Sequence, residues 1–378
     1  MLRILVLFGT RPEVIKLAPV IRAFEARPDR FQVLTVCSSQ HTDLLLPFVR
    51  RLGLRIDHDL EVMRDDQGPS DVAARVLEKL DRILTAGERT DLLLVQGDTT
   101  TAFAGALAGF HRKTPVGHVE AGLRSGDIAS PFPEEMNRRL ITRLASYHFA
   151  ATARNVATLR SEGVSPDRIA LTGNPVVDAL KEVILRERPS QAIVDLVNAE
   201  RGRRLVVLTT HRREAFGDRM GGYLRVLRRF VEAHPDTALF FPVHPNPAVK
   251  DAAKSVLDGE PRIHLLASLD HPDFVHLLSR AWLVVSDSGG VQEEVATLGK
   301  ALFVLRDNTE RPEVIEAGIG RLVGPSPQRL EEMLLGLESD DGWLRRVSTI
   351  PNPFGDGQSG PRIADAVEAW LGRGAGDA

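Results

Sequence analysis

The sequence predicts an α/β protein built from two parallel sheets wound with helices. Short apolar runs recur along the chain with helical spacings between them, and nearly every run is followed at once by a polar or glycine-rich stretch. The chain is 378 residues long, more than one core usually supports, so two domains are expected. The clearest instance is Ala281–Glu294, AWLVVSDSGGVQEE. Trp282, Leu283, Val284 and Val285 read as a strand buried on both faces. Ser286-Asp287-Ser288 changes the chemistry, and Gly289-Gly290 opens a helix whose free amides and dipole favour an anion. Two residues without a Cβ let a ligand approach the backbone there. The same turn also reads as an ordinary βα junction with a good cap, because a glycine motif needs context before it means phosphate.

In chain order, Arg3–Phe8 is a buried strand, and Thr10-Arg11-Pro12-Glu13 has the form of a capping box. The helix beyond places Val14, Ile15, Leu17, Ala18, Val20, Ile21 and Phe24 at helical spacing. Gln32–Cys37 is the next strand, followed by a polar loop from Ser39 to Asp43, and Ser70–Leu84 is a helix. Leu92–Val95 is a strand ending in QGDTTT, Ala102–Phe110 a helix, and Pro115–Val119 a strand ending in EAGLR. The proline-bracketed loop Ser130-Pro131-Phe132-Pro133 delivers Glu134 and Glu135 to another helix start, and Tyr147–Ala150 and Ile169–Leu171 are short strands. The charged helical segment from about Asn174 to Arg203 is read as the connection between domains, which places the first domain at 1–173 and the second at 174–359. The alternation then restarts with Leu205–Leu208, Leu239–Val243, Ile263–Leu266 and Ala301–Leu305. After the turn-rich loop NPFGDG, a final helix within 360–372 is predicted to return to the first domain.

Hydrophobic content of 43% and charged content of 26% are ordinary for a soluble globular protein. A net charge of −3 gives no electrostatic reason to expect nucleic acid. The single cysteine, Cys37, excludes an intrachain disulfide and a cysteine-based zinc site. The first apolar run, Ile4–Phe8, is too short for a signal peptide or a membrane span, so a cytoplasmic protein without membrane contact is expected.

Polar residues collect where strands should end: Arg11, Asp98, Glu120, His211, His244, Ser288 and Arg311. In open α/β sheets ligands bind outside the carboxyl ends of the strands, and two such domains would place both sets in one cleft. Each residue also has a structural reading. Asp98 reads as a helix N-cap, Glu120 as a buried carboxylate paired with Arg124 or His118, Glu134 as a charge serving the helix dipole, and His211 as a core histidine. Together, carboxylates and a histidine supply acids and bases, and Arg11 with a glycine-opened helix can stabilise a departing diphosphate. The chain has no G-x-G-x-x-G after a strand, no G-x-x-x-x-G-K-[ST] and no H-E-x-x-H, so no cofactor and no metal are expected.

FGTRPE, QGDTTT, GHVEAGLRSGD, PFPEEMNRR, THRRE, PVHPNP, SDSGGVQEE, ERPE and NPFGDG occur in that order, and together they resemble the non-hydrolysing UDP-N-acetylglucosamine 2-epimerases. The resemblance implies two Rossmann-like domains of glycosyltransferase-B-like architecture, an active site in the interdomain cleft and a homodimer. It also implies reversible conversion of UDP-N-acetylglucosamine to UDP-N-acetylmannosamine, by elimination of UDP to 2-acetamidoglucal and re-addition. By motif, it assigns Asp98, Glu120 and Glu134 as acid–base carboxylates and His211 as a catalytic or UDP-contacting residue. Arg11, Lys16, Phe274, Ser288, Gly289, Gly290, Glu294 and Arg311 fall at UDP- or substrate-binding positions. Gln40, His41, Gln67, Arg212 and His244 match a second, activating UDP-N-acetylglucosamine site found in many bacterial members. Asp43 and Asp66 depart from the glutamine and arginine common there, and a carboxylate in place of an arginine repels a diphosphate. Two alternatives remain beside this reading: a hydrolysing epimerase that releases UDP and N-acetylmannosamine, and an inverting UDP-sugar glycosyltransferase.

Overall fold

The computed structural model describes residues 1–40, 42–64, 66–210, 218–244, 246–339 and 342–374. They form two compact units, Met1–Ala179 with Phe354–Ala378, and Leu180–Pro353. The division falls inside the helix Pro175–Arg186. Among the described residues no helix is long and apolar enough to cross a membrane.

The first unit carries β1 (Leu2–Phe8), β2 (Phe31–Cys37), β3 (His58–Asp59), β4 (Leu92–Gln96), β5 (Val116–Ala121), β6 (Tyr147–Ala150) and β7 (Ile169–Leu171). They form one parallel sheet in the order β3-β2-β1-β4-β5-β6-β7. Because successive side chains of a strand face opposite ways, β1 feeds two cores at once. Ile4, Val6 and Phe8 pack with Val14, Leu17, Ile21 and Phe24 of the helix Arg11–Glu25 and with Ile363 and Val367 of the helix Ser359–Gly374. Leu5 and Leu7 pack on the other face with Val76 and Leu80 of the helix Pro69–Ala86 and with Ala102 and Ala106 of the helix Thr100–His111. That last helix is Ala- and Gly-rich because it lies almost on the sheet: a Cβ at Gly109 would stand 2.6 Å from a Val116 methyl.

The second unit repeats the plan with β8 (Arg204–Thr209), β9 (Thr237–Pro242), β10 (Ile263–Leu266), β11 (Leu283–Ser286), β12 (Leu302–Val304) and β13 (Gly320–Leu322). The sheet order is β10-β9-β8-β11-β12-β13, again parallel throughout. In both sheets the first and fourth strands are neighbours, and there the order reverses, leaving a crevice at the carboxyl ends. The sequence reading had no element for the helix Thr42–Arg51, which carries Pro47 in its interior, nor for β13, three residues beginning with glycine.

The helix Ser359–Gly374 belongs to the first unit and lies against the helix Arg11–Glu25. Trp370 stacks on Tyr147 with ring centroids 4.9 Å apart. At its start Gly360 touches backbone, and an added Cβ would be 2.6 Å from the Pro19 carbonyl oxygen. Since backbone cannot yield as a side-chain tip can, Gly360→Ala is expected to destabilise the first unit by about 1–3 kcal/mol. Urea denaturation of the variant beside the parent checks this, and an unchanged midpoint would contradict the packing described.

Candidate active site

The carboxyl edge of the first sheet gathers most of its charge around the β1–β4–β5 ends. Glu120 is the last but one residue of β5, at a register shift between Val119 and Ala121 relative to β6. Its φ is +64°, a left-handed backbone that an L side chain rarely adopts. A bulge of this kind re-aims a side chain, and such strain persists only where surrounding contacts hold it. Lys16 Nζ supplies the main one, lying 2.7 Å from Oε1 and 2.8 Å from Oε2. Gln96 Nε2 donates to Oε2, and Asn174 Nδ2 donates to Oε1 at 3.1 Å. The partners expected from sequence are engaged elsewhere: Arg124 forks onto Glu162, with both bonds at 2.8 Å, and His118 Nε2 donates to the Gly97 carbonyl at 2.8 Å. Lys16 lies one helix away from the strand, which is why local spacing pointed to the wrong cation.

Asp98 is not a cap. Thr99 takes that role, its hydroxyl accepting from the Ala102 amide at 3.0 Å. Asp98 binds Arg138 through one oxygen, Oδ2, at 2.8 Å from Nε and 2.5 Å from Nη2. Arg138 reaches on to Glu135 Oε2 at 3.2 Å, and fully buried Glu135 also accepts from Arg139 and from the Ser125 amide. The side chain of Glu134, at the first position of the helix Glu134–Leu144, makes no hydrogen bond or ion pair among the described residues. Asp98 and Glu134 line a cavity of about 450 Å³ together with Thr10, Asn137, Gln40 and Gln67. Gln40 accepts from Thr101 at 2.8 Å, and Gln67 accepts from Arg75 at 2.5 Å. Asp66, at a φ of +53°, borders the same cavity.

Behind the edge lie three buried titratable groups. Glu13 closes the anticipated capping box by accepting from the Thr10 amide at 2.7 Å. It also accepts from the Gly9 amide at 2.9 Å and from the Thr99 hydroxyl at 2.7 Å, so it ties the β1 and β4 ends together. Burial pushes its carboxyl up to about 7 despite those donors. His118 and His148 face each other across β5 and β6, and burial pushes them down to about 4 and about 3. Neither ring nitrogen of His148 has a hydrogen-bond partner among the described residues.

In the second unit, Ser288, Gly289 and Gly290 follow β11, and the helix Gly289–Leu298 begins there without a side-chain cap. A Cβ built on either glycine meets nothing within 4 Å, so the chain itself does not require glycine at these positions. Arg311 Nε pairs with buried Glu293 Oε1 at 2.6 Å. Glu294 Oε1 meets His271 Nε2 at 3.3 Å, while its Oε2 is buried with no donor among the described residues. Phe274 is half-buried, one turn beyond His271 on the helix His271–Arg280. His244 Nδ1 accepts from the Asn246 amide at 3.2 Å.

The first unit therefore brings Asp98, Glu134, Gln40 and Gln67 to one cavity, with Glu120 and Lys16 on neighbouring elements of the same sheet edge. Arg11 is exposed at its helix start, its guanidinium 4.9 Å from the Phe48 ring centre. Ser288, Gly289, Gly290, Glu294, Arg311, Phe274 and His244 belong to the second unit. His41, His211 and Arg212 lie outside the described residues. Sequence reasoning passed over Glu135, Arg138, Gln96 and Asn174. The spacing of Glu135 to Arg138 and Arg139, three and four residues on, was the one available signal.

Two parallel-sheet units in one chain, each with polar residues at the edge where its strand order reverses, define the glycosyltransferase-B-like class. The profile of the UDP-N-acetylglucosamine 2-epimerases matches residues 22–368, and the chain belongs to that family. It is 39% identical over 376 residues to the UDP-N-acetylglucosamine 2-epimerase of Salmonella typhimurium, covering 98% of this chain and 99% of that one. The crystal structure of a Listeria monocytogenes protein assigned to the same enzyme superposes with a TM-score of 0.90 at 39% identity, covering 98% of this chain and 97% of the other. A Neisseria meningitidis UDP-GlcNAc 2-epimerase, solved bound to UDP-GlcNAc, gives 0.87 at 34% identity, covering 97% of this chain and all 100% of that one.

The buried groups set how stability depends on pH. Glu13, raised from 4.5 to about 7, favours the native state at low pH, and that contribution is lost as pH rises through 7. The histidines, lowered from 6.5 to about 4 and about 3, contribute stability above 6.5 that is lost on acidification. Between pH 5 and 6 the unfolded chain holds two of these protons and the native chain one, so these groups make stability rise by about 1.4 kcal/mol per pH unit. Glu13→Gln removes the opposing proton and is expected to steepen the slope to about 2.7 kcal/mol per unit. Urea midpoints collected across that range check the change, and a shallower slope in the variant contradicts it.

Proposed function

We propose that the protein is a non-hydrolysing UDP-N-acetylglucosamine 2-epimerase, which converts its substrate reversibly to UDP-N-acetylmannosamine. The observation that supports this most directly is the convergence of Asp98, Glu120 and Glu134 on one sheet edge in three different electrostatic settings. The C2 hydrogen of the sugar is not acidified by an adjacent carbonyl, so departure of UDP from C1 leads. A base then removes the C2 proton to give 2-acetamidoglucal. Return of a proton to the opposite face of C2 and re-addition of UDP at C1 complete the inversion. A reaction of this form needs carboxylates that differ in their readiness to carry a proton. Lys16 binds Glu120 through both oxygens, whereas Arg138 engages a single oxygen of Asp98. Glu134 has no ion-pair partner among the described residues and faces the same cavity as Asp98.

In this reading UDP is gripped by the second unit. Open space over Gly289 and Gly290 at a helix start suits a diphosphate, and the unused buried oxygen of Glu294 suits a ribose hydroxyl. Arg311, Phe274, Arg11 and His211 complete the proposed nucleotide contacts. The hydrolysing alternative shares the elimination step and differs only in letting water intercept the intermediate. Incubation with UDP-N-acetylglucosamine in D₂O, followed by proton NMR, tests the proposal. Deuterium is expected at C2 of both UDP-linked epimers, whereas free N-acetylmannosamine would transfer the protein to the hydrolysing branch. Asp98→Asn, Glu120→Gln and Glu134→Gln are each expected to lose about a hundredfold or more of turnover while still binding UDP. Parent-like rates in all three would leave the assignment wrong.

The same reading includes a homodimer. Met136 and Leu140, four residues apart on the helix Glu134–Leu144, are 38% and 40% exposed, and Phe132 just before it is 74% exposed. An apolar stripe of this kind suits burial against a second copy. Met136→Asp combined with Leu140→Asp is expected to halve the mass measured by light scattering, and an unchanged dimer would place the interface elsewhere.

A further inference from the structure

Asn174 stands where the chain leaves the first unit, and Phe354–Gly360 is where it comes back. The two passages are pressed together. The Asn174 amide donates to the Phe354 carbonyl at 2.8 Å, and the Gly360 amide donates to Asp178 Oδ1 at 2.9 Å. Gly173, at a φ of +83°, has no room for a side chain, since a Cβ there would be 2.9 Å from Ser359 Oγ and 3.2 Å from the Phe354 oxygen. Asn174 is 1% exposed and spends its side chain in two directions. Its Oδ1 accepts from the Val176 amide at 3.1 Å, opening the helix Pro175–Arg186, and its Nδ2 donates to Glu120 Oε1 at 3.1 Å.

We propose that Asn174 is a positioning residue for the reaction, which fixes the Glu120 carboxylate in its working orientation and ties it to the junction of the two crossing segments. The inference rests on the reading above in which Glu120 is an acid–base group. The charged and titratable groups that face the carboxylate are Lys16 from the helix Arg11–Glu25 and His118 from β5, while β4 offers the uncharged Gln96 amide on the other oxygen. Asn174 thus adds direction and a donor without adding charge.

Asn174→Asp isolates this role. Aspartate caps a helix as well as asparagine does, so the bond to the Val176 amide survives. The atom 3.1 Å from Glu120, however, becomes an acceptor carrying negative charge. A like charge at that distance raises the carboxylate's pKa, so the acid limb of log kcat/KM against pH is expected to move up by about one unit or more. At the parent's optimum kcat is expected to fall about tenfold, with KM held within about threefold, because the lost interaction acts on chemistry more than on binding. A merely structural role would leave the acid limb in place. Should the aspartate variant not fold, Asn174→Ser carries the test: it keeps a capping oxygen, loses the reach to Glu120, and is expected to shift the limb the same way by less. Glu120→Gln is assayed alongside. If Glu120→Gln retains the parent's rate, the assignment of Glu120 itself fails; if it is inactive while the Asn174 variants show the parent's pH profile and kcat, the positioning role alone is overturned.

Discussion

An ammonium and a carboxylate, Lys16 and Glu120, meet at 2.7 Å where the first sheet ends, and much of the architecture around them follows from that contact. Their side chains are 13% and 7% exposed, so neither ion is well solvated and each needs the other. The carboxylate sits on left-handed backbone, a conformation that costs of order 1–3 kcal/mol and relaxes unless something outside the strand holds it. Lys16 is that restraint. Without it, β5 would have reason to run on in register with β6, and residue 120 would turn its side chain toward one face of the sheet rather than its edge. The strand order makes the meeting possible: Lys16 comes from the helix after β1, Gln96 from the end of β4 and Glu120 from β5, three consecutive positions beside the point of reversal.

The same edge separates its carboxyl groups by partner rather than by residue type. Glu120 faces a cation with both oxygens, Asp98 gives one oxygen to Arg138, Glu135 is wholly buried in two arginines and a backbone amide, and Glu134 has no such partner among the described residues. Glu13, behind them, is raised because its three donors do not offset its burial. Five carboxyl groups within one strand-end region thus sit in five different settings, from a two-oxygen ion pair to no ion-pair partner among the described residues. Carboxyl groups set apart by their surroundings are what proton transfer on both faces of a carbon would draw upon.

The strands and their order of appearance were legible because buried parallel strands are nearly continuous apolar runs, and β1, β4 and β11 are of that form. Strand ends were legible because the chemistry changes within one residue, as at Gln96-Gly97-Asp98. The pairings at those ends were not. Sequence neighbours suggested Arg124 or His118 for Glu120 and a capping role for Asp98, whereas the actual partners, Lys16 and Arg138, lie 104 and 40 residues away. Asn174 was hidden for a different reason: in sequence it is simply the residue before a proline at a helix start, and its reach to Glu120 exists only because β5 carries a bulge. The helix Thr42–Arg51 was obscured by Pro47, which is tolerated there although the residue type ordinarily ends helices.

The two sheets share a topology but differ in what they present at the reversal. In the first, the β1–β4 end is crowded and charged: a Cβ at Gly9 would strike Ser38 Oγ at 2.0 Å, and the amides of Gly9 and Thr10 are already taken by Glu13. An anion finds those two amides already occupied. In the second, the junction after β11 has no side-chain cap from Ser288 and is open above both glycines. These two βα junctions beside the reversals therefore differ in chemistry, according to whether a carboxylate from the same helix folds back onto the amides. Glu13 does so at the third position of its helix; at the third position after Ser288 the chain has Val291, which has nothing to offer an amide. That one difference leaves the amides after Ser288 without a carboxylate folded back onto them, and it is there that the proposed reading seats a phosphate.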